Sequence, residues 1–324
     1  MQSWRFRIRP LSAFATPLRG DTLFGQLCWA LRLANGEEAL VRQLEGYTQG
    51  APFCVLSDAF PAGYLPRPQL PLFALSADTE DTAPEKRKQY KNRLWLPLEK
   101  FQQPVEEWLH HCVSASDIAG RAAWQKARAR VHNTINRRTG TTGEGAFAPY
   151  TVEEQWYNPG AQLDIYALVD ESRFSGEMLE QLLRNIGDSG YGKDAGIGRG
   201  RFHLELSELY QLPEQGDSDT WMALAPCAPQ GLGYKPEASY WKPFTRYGRH
   251  GALAAVSGHP FKNPVLLADT GSVFAPGAGP VQPLGRGLGG DGRLSVAVAD
   301  SVHQGYAPAV GLNLRRVRAR IERS

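Results

Sequence analysis

No apolar run in this 324-residue chain approaches the roughly 18 residues that cross a membrane. The first fifteen residues carry Arg5, Arg7 and Arg9 where a secretory leader keeps an apolar core, so the chain is expected in the cytoplasm, with no membrane partner. Cysteine is scarce. Cys28, Cys54, Cys112 and Cys227 stand singly and without a CxxC pair, which points away from a zinc ribbon or a disulfide framework. The 34 glycines follow no strict period and 23 prolines are scattered throughout, so neither a collagen-like nor a long coiled-coil architecture fits. A surplus of one charge is missing too, because 36 basic residues against 33 acidic ones leave only +3. HExxH, a GxSxG elbow and a GK[ST] phosphate loop are absent, and the seven histidines show no paired metal spacing. No metal, no cofactor and no catalytic constellation is therefore expected.

With 42% apolar residues a chain this long buries a sizeable core, and at roughly 100–200 residues per domain its length suggests two units, or one module present twice. Trp4, Phe6 and Ile8 alternate with Arg5, Arg7 and Arg9, which makes a strand with one apolar face. Asp21 or Thr22 is placed to cap a helix carried by Leu23, Leu27 and Leu31, which stops near Asn35-Gly36; a shorter helix spans 37–44. A second strand reads over 53–56. The Pro- and aromatic-rich SDAFPAGYLPRPQLPL (57–72) reads as a fixed irregular loop that opens an insertion to about 127. Alternation returns over 128–136, 150–157 and 163–169, the last two joined by Asn158-Pro159-Gly160 as an expected hairpin. Met178, Leu179, Leu182, Leu183 and Ile186 mark another helix, and 202–209 a closing strand.

Without the insertion the order is βαββαβ, an antiparallel sheet with both helices on one face and Arg5, Arg7 and Arg9 on the other, left open for RNA or a partner domain. The fold class is thus α+β: a ferredoxin-like (RRM-like) unit over 1–210 with large loop insertions, then a β-rich region over 211–324. There, short strands at 220–225, 238–247, 265–268, 295–299 and 310–314, with no convincing helix, fit a second, degenerate ferredoxin-like unit.

Charge is unevenly distributed. Residues 121–138 hold six basic side chains (Arg121, Lys126, Arg128, Arg130, Arg137, Arg138) and no acidic one; residues 85–93 net +4, and Arg315, Arg316, Arg318 and Arg320 stand unopposed. Such patches suit a polyanion, although the polar 77–93 stretch reads better as a solvated face. Three segments stand out. In 186–202, IGDSGYGKDAGIGRGRF, six glycines that include Gly196 and Gly198 interleave with Lys193, Arg199 and Arg201, so that backbone N–H groups and cations cradle phosphate. In 130–147, RVHNTINRRTGTTGEGAF, a polar strand presents His132, Asn133, Arg137 and Arg138 to phosphates, sugar hydroxyls and base edges, with Phe147, Tyr150, Trp156 and Tyr157 at hand to stack. In 16–22, TPLRGDT, Arg19 and free helix N-terminal amides hold a phosphate that Gly20 leaves room for, or the heptad is merely a capped helix; the two readings are even.

Together these segments resemble the RAMP proteins (repeat-associated mysterious proteins) of CRISPR systems, in particular the Cas-five group that forms the fourth subunit of type III-A Csm effector complexes. TPLRGDTLFGQLCWAL is similar to that group's first loop and helix, SDAFPAGYLPRPQLP to its next loop, HNTINRRTGT to its hairpin, GYGKDAGIGRGRF to its Gly-rich loop and GSVF (271–274) to a late strand. The resemblance implies two ferredoxin-like units and no nuclease activity. It also implies a place at the 5′ end of the guide (cr)RNA, gripping the repeat-derived tag between a large polymerase/cyclase-like subunit and a backbone RAMP subunit. Arg19, Gly20, Lys193, Arg199 and Arg201 would then meet the tag. His132, Asn133, Arg137 and Arg138 would line the RNA, with the adjoining tip as a thumb. Asn136 departs from the group's Asp-Arg pair, which leaves in question what that carboxylate orients. The rival readings are a metal-independent, guide-processing endoribonuclease with His132 as base, and a pure protein scaffold.

Overall fold

The alternation of the opening segment becomes β1 (Gln2–Pro10), with Phe6 and Ile8 fully buried and Arg5, Arg7 and Arg9 half-exposed. The computed structural model of the chain describes all residues except 77, 79–83, 119–123, 252–258, 280 and 322–324, and only the backbone at 84, 85, 87, 89 and 321. Arg121 of the basic run, and the side chain of Arg87, therefore lie outside the described residues.

After β1 come α1 (Gly20–Asn35), α2 (Glu37–Leu44) and β2 (Cys54–Pro61). The insertion folds β3 (Tyr64–Pro66), β4 (Arg93–Pro97) and β5 (Val113–Ser114) into a small antiparallel sheet. Beyond it lie β6 (Gln125–His132), β7 (Tyr150–Tyr157), β8 (Leu163–Val169), α3 (Gly176–Ser189) and β9 (Phe202–Leu209). The main sheet runs β2–β8–β1–β9, antiparallel throughout, which is the order a βαββαβ unit demands. Leu23, Leu27 and Leu31 of α1 join Leu179, Leu183 and Ile186 of α3 in one core with Phe6 and Ile8. Ser175 caps α3 by accepting from the Met178 N–H at 3.2 Å, and Gly190, at φ +99°, ends it where a side chain would be strained.

The second unit is degenerate. Its largest sheet is β13 (Val273–Phe274) beside β10 (Thr220–Ala223) beside β14 (Ala309–Leu312), with β11 (Pro243–Arg246) and β12 (Val265–Ala268) paired separately. Residues 295–299 form no strand, because the Ser295 hydroxyl takes the Val298 N–H in a local turn. A short helix, α4 (Arg315–Ile321), does occur, and its arginines are not unopposed: Arg318 reaches Asp219 at 2.8 Å, while Arg315 and Arg316 lie 3.8 Å from Asp217 and Glu106.

Three local expectations are also corrected. Asn158-Pro159-Gly160 is a turn but closes no hairpin, since β7 pairs with β6 over its whole length and β8 enters the main sheet. The segment 57–61 is not loop but the end of β2, where a register shift between Leu56 and Ala59 accommodates the buried Ser57 and Asp58. The sheet face opposite the helices is not open to an anion. Arg5 pairs with Glu208, Arg7 grips buried Asp164 through two nitrogens at 2.7 and 2.9 Å, and Arg9 meets Glu205 at 2.5 Å. Phe60 on that face is covered by Trp95 of the insertion. Its cations are neutralised by cross-strand partners.

α1 also starts differently from expectation: neither Asp21 nor Thr22 caps it, and the Gly20 N–H instead donates to Asp58 of β2 at 2.8 Å. A Cβ on Gly20 would collide with the Leu56 carbonyl and touch Ala225 of the second unit. Gly20→Ala is therefore expected to cost about 1–3 kcal/mol through overpacking, read as a lowered urea midpoint; an unchanged midpoint would refute this close approach.

Candidate nucleic-acid interface

The TPLRGDT segment is tied to residues far along the chain. Arg19 lies 2.5 Å from Asp269 and 3.9 Å from Asp58, with its guanidinium 4.6 Å from the centre of the Phe244 ring. Asp21 accepts two bonds from Arg246 at 2.6 and 2.8 Å, and the His303 ring approaches it to 3.5 Å. Gln304 pairs its side-chain amide with both backbone groups of Leu56, and Thr270 donates to Asp58 at 2.6 Å. All these partners beyond residue 211 come from the C-terminal part of the chain, which shares one apolar core with the main sheet. The heptad is thus one side of a polar seam whose first amide is taken and in which Arg19 is already paired with acids, unlike the free phosphate site expected of Arg19 and Gly20.

Arg199 is turned inward. It forms an ion pair with buried Glu154 of β7 at 2.5 Å, with its guanidinium over the Trp156 ring, 6.0 Å from the centroid. Around it the glycine-rich loop is laced to residues 11–17. Gly200 donates to the Ala13 carbonyl, Arg201 to the Ser12 hydroxyl, Lys193 to the Thr16 hydroxyl through its backbone N–H, and the Tyr191 hydroxyl to the Pro17 carbonyl. The Gly192 and Gly200 positions admit no Cβ, because Thr16 and the Tyr191 backbone occupy that space. Gly196 and Gly198 stand exposed with open space before them, and the side chains of Lys193 and Arg201 point to solvent.

The same body holds the two-stranded β6–β7 ribbon. The register pairs Lys126 with Trp156, Arg128 with Glu154, Arg130 with Val152 and His132 with Tyr150. Directly opposed residues share a face, so the four basic positions form one stripe about 20 Å long, at roughly 3.3 Å per residue. Lys126, Arg128 and Arg130 are exposed. So are Tyr150 (51%) and Trp156 (39%) at the two ends of the stripe. The His132 ring stacks on Tyr150 at 5.4 Å and 14°, with Nε2 buried and unbonded among the described residues. Beyond it, Asn133, Arg137 and Arg138 are exposed at the tip, where the Asn136 side chain accepts the Arg138 N–H at 3.0 Å. Asn makes such a turn as well as Asp, so the departure at 136 leaves the turn intact. Phe147 is half-exposed, while Tyr157 packs on Phe14 and Trp124 and belongs to the core.

Among the described residues Lys126, Arg128, Arg130, Arg137, Arg138, Lys193 and Arg201 have no acidic partner, whereas Arg19 and Arg199 do. In the sequence Lys126, Arg128 and Arg130 are visible only as a basic run. Their common face needs the pairing with β7, which strand alternation alone does not provide. No three His, Cys, Asp or Glu side chains among the described residues gather to hold a metal, and no described helix is long and apolar enough to cross a membrane.

Residues 15–203 match the model of the RAMP superfamily, which is more than half of the chain. The chain belongs to the RAMP superfamily. No curated protein matches it in sequence. Among solved structures, this RAMP chain is similar to one in a Csm1–Csm4 cassette in complex with pppApA, with 15% identity, a TM-score of 0.61 and coverage of 97% of this chain and 98% of that one. It is likewise similar to a chain of a Csm3–Csm4 subcomplex of the type III-A CRISPR-Cas interference complex, with 14% identity, a TM-score of 0.59 and coverage of 97% and 100%. At such identities the likeness is one of fold.

The seam carries two carboxyls of opposite behaviour. Burial pushes Asp58 up to about 6 despite the charge of Arg19 and bonds from Thr270 and Gly20. Burial also opposes ionisation of Asp21, but His303 and Arg246 outweigh it and hold that carboxyl well below its ordinary value. A raised carboxyl binds its proton better in the folded state, so the stability due to Asp58 falls as pH rises from about 4 to 6; that due to Asp21 is complete above about 4 and lost in stronger acid. Comparing the wild type with Asp58→Asn by urea unfolding at about pH 4 and 7, the wild type's relative stability is expected to drop by on the order of 2–3 kcal/mol at the higher pH. A pH-independent difference would contradict the assignment.

Proposed function

We propose that this chain is a non-catalytic, RNA-binding subunit of a type III CRISPR effector complex. In that reading it grips the 5′ repeat-derived tag of the guide RNA and bridges a large polymerase-like subunit to a backbone RAMP subunit. The observation that carries the RNA reading is the stripe of Lys126, Arg128 and Arg130, unpaired and flanked by exposed Tyr150 and Trp156, beside the exposed Lys193 and Arg201. Cations without acidic partners on a ribbon with aromatic ends suit a single strand: phosphates meet the arginines and bases stack on the rings, each stack worth about 1–3 kcal/mol. The seat in the complex draws support from family membership and from a fold shared with chains of Csm1–Csm4 and Csm3–Csm4 assemblies.

The non-catalytic role is part of this reading, in which the His132 ring, stacked on Tyr150, serves binding and not proton transfer. Metal-free incubation with repeat RNA is expected to leave the RNA intact; cleavage abolished by His132→Ala would make the chain an endoribonuclease instead. For binding, Arg128→Ala combined with Arg130→Ala is expected to lower the slope of log affinity against log salt by about 1.4, at about 0.7 per neutralised phosphate, without moving the urea midpoint. Unchanged affinity and slope for single-stranded RNA would overturn the stripe as the RNA track.

A further inference from the structure

A two-stranded ribbon is marginal in water by itself, and β6–β7 has no third strand over most of its length. Its attachments lie at its base. On one side the segment around Phe14 runs along β7, exchanging hydrogen bonds with Gln155 at 2.9 and 2.8 Å, and Tyr157 is boxed by Phe14 and Trp124. On the stripe side the base is met by Arg199, through Glu154 and the ring of Trp156. Glu154 stands in the middle of the cationic stripe, directly across from Arg128, yet it is 2% exposed and its carboxylate meets Arg199. A carboxylate at the centre of an RNA track repels phosphate unless its charge is answered from within the protein.

We propose that the Glu154–Arg199 pair is a latch. It fixes the ribbon against the glycine-rich loop so that Lys126, Arg128 and Arg130 form one continuous track with Lys193 and Arg201, and it cancels the charge of the acid that faces Arg128 across the ribbon. Glu154 is then a positioning residue, and Arg199 acts through it instead of touching RNA. The proposal rests on the RNA reading above but makes a separate demand on the sign of one substitution. Were Arg199 an RNA ligand restrained by Glu154, Glu154→Gln would release it and tighten binding. As a latch, the same change loosens the ribbon and weakens binding.

The test uses the full chain with a fluorescent oligouridine, measuring affinity against salt together with amide hydrogen exchange of the RNA-free protein. Glu154→Gln and Arg199→Met are each expected to weaken binding at least about threefold and to lower the salt slope by about 0.7 for each phosphate that the loosened track no longer neutralises. They are also expected to speed exchange in 125–132 and 150–157 while the main sheet stays protected. The exchanged pair, Glu154→Arg with Arg199→Glu, restores both readouts in part. Glu154→Gln that binds RNA as tightly as the wild type, or tighter, overturns the latch, as does unchanged exchange in the ribbon. If the Glu154 and Arg199 variants speed ribbon exchange as expected but the wild type itself retains no oligouridine, the RNA reading fails while the mechanical coupling stands.

Discussion

Burying a carboxylate is tolerable only when its charge and lone pairs are answered, and the start of α1 is built around two such groups. Asp21 and Asp58 sit where the first unit meets the second, and their partners Arg246, His303, Thr270 and Arg19 come from both sides of that junction. Removing one member leaves an uncompensated buried charge, costing several times what an exposed pair contributes. The relative placement of the two units therefore depends on this seam together with the apolar core they share. So does the close approach of Gly20 to β2 that lets the Asp58 carboxylate reach its amide.

The seam also explains why the start of α1 is not a free anion site. An arginine near a helix N-terminus looks like a phosphate site in isolation, but Arg19 is neutralised by Asp269 and the helix amide is already bonded. The same sorting applies across the molecule. Arg5, Arg7 and Arg9 are matched by acids on neighbouring strands, Arg318 by Asp219, and Arg199 by Glu154. Among the described cations without an acidic partner, Lys126, Arg128, Arg130, Arg137, Arg138, Lys193 and Arg201 lie on the ribbon and the adjoining loop. A net charge of +3 conceals this, because field at a surface depends on which cations lack a near neighbour of opposite sign and not on the sum.

Periodicity carried much of the architecture. The alternation of Trp4, Phe6 and Ile8, the leucine spacing of α1 and α3 and the closing strand at 202–209 all read correctly, because a half-buried strand and an amphipathic helix each impose their period on the apolar residues. Pairing was less legible. Asn158-Pro159-Gly160 is a turn in the chain, yet a turn says only that direction changes, not which strand lies alongside. The proline and aromatic content of 57–72 reads as loop, yet Ser57 to Pro61 continue β2, where a register shift accommodates the buried Ser57 and Asp58.

The sequence by itself determined the βαββαβ order and the segments rich in cations and glycine, since each is a local property of residue type and spacing. Tertiary structure decided which of those cations remain free. That choice turns on carboxylates hundreds of residues away, as with Arg19 and Asp269, or on a cross-strand register, as with Arg128 and Glu154. Electrostatic neutralisation acts over a few ångströms of space, and distance along the chain carries no information about it.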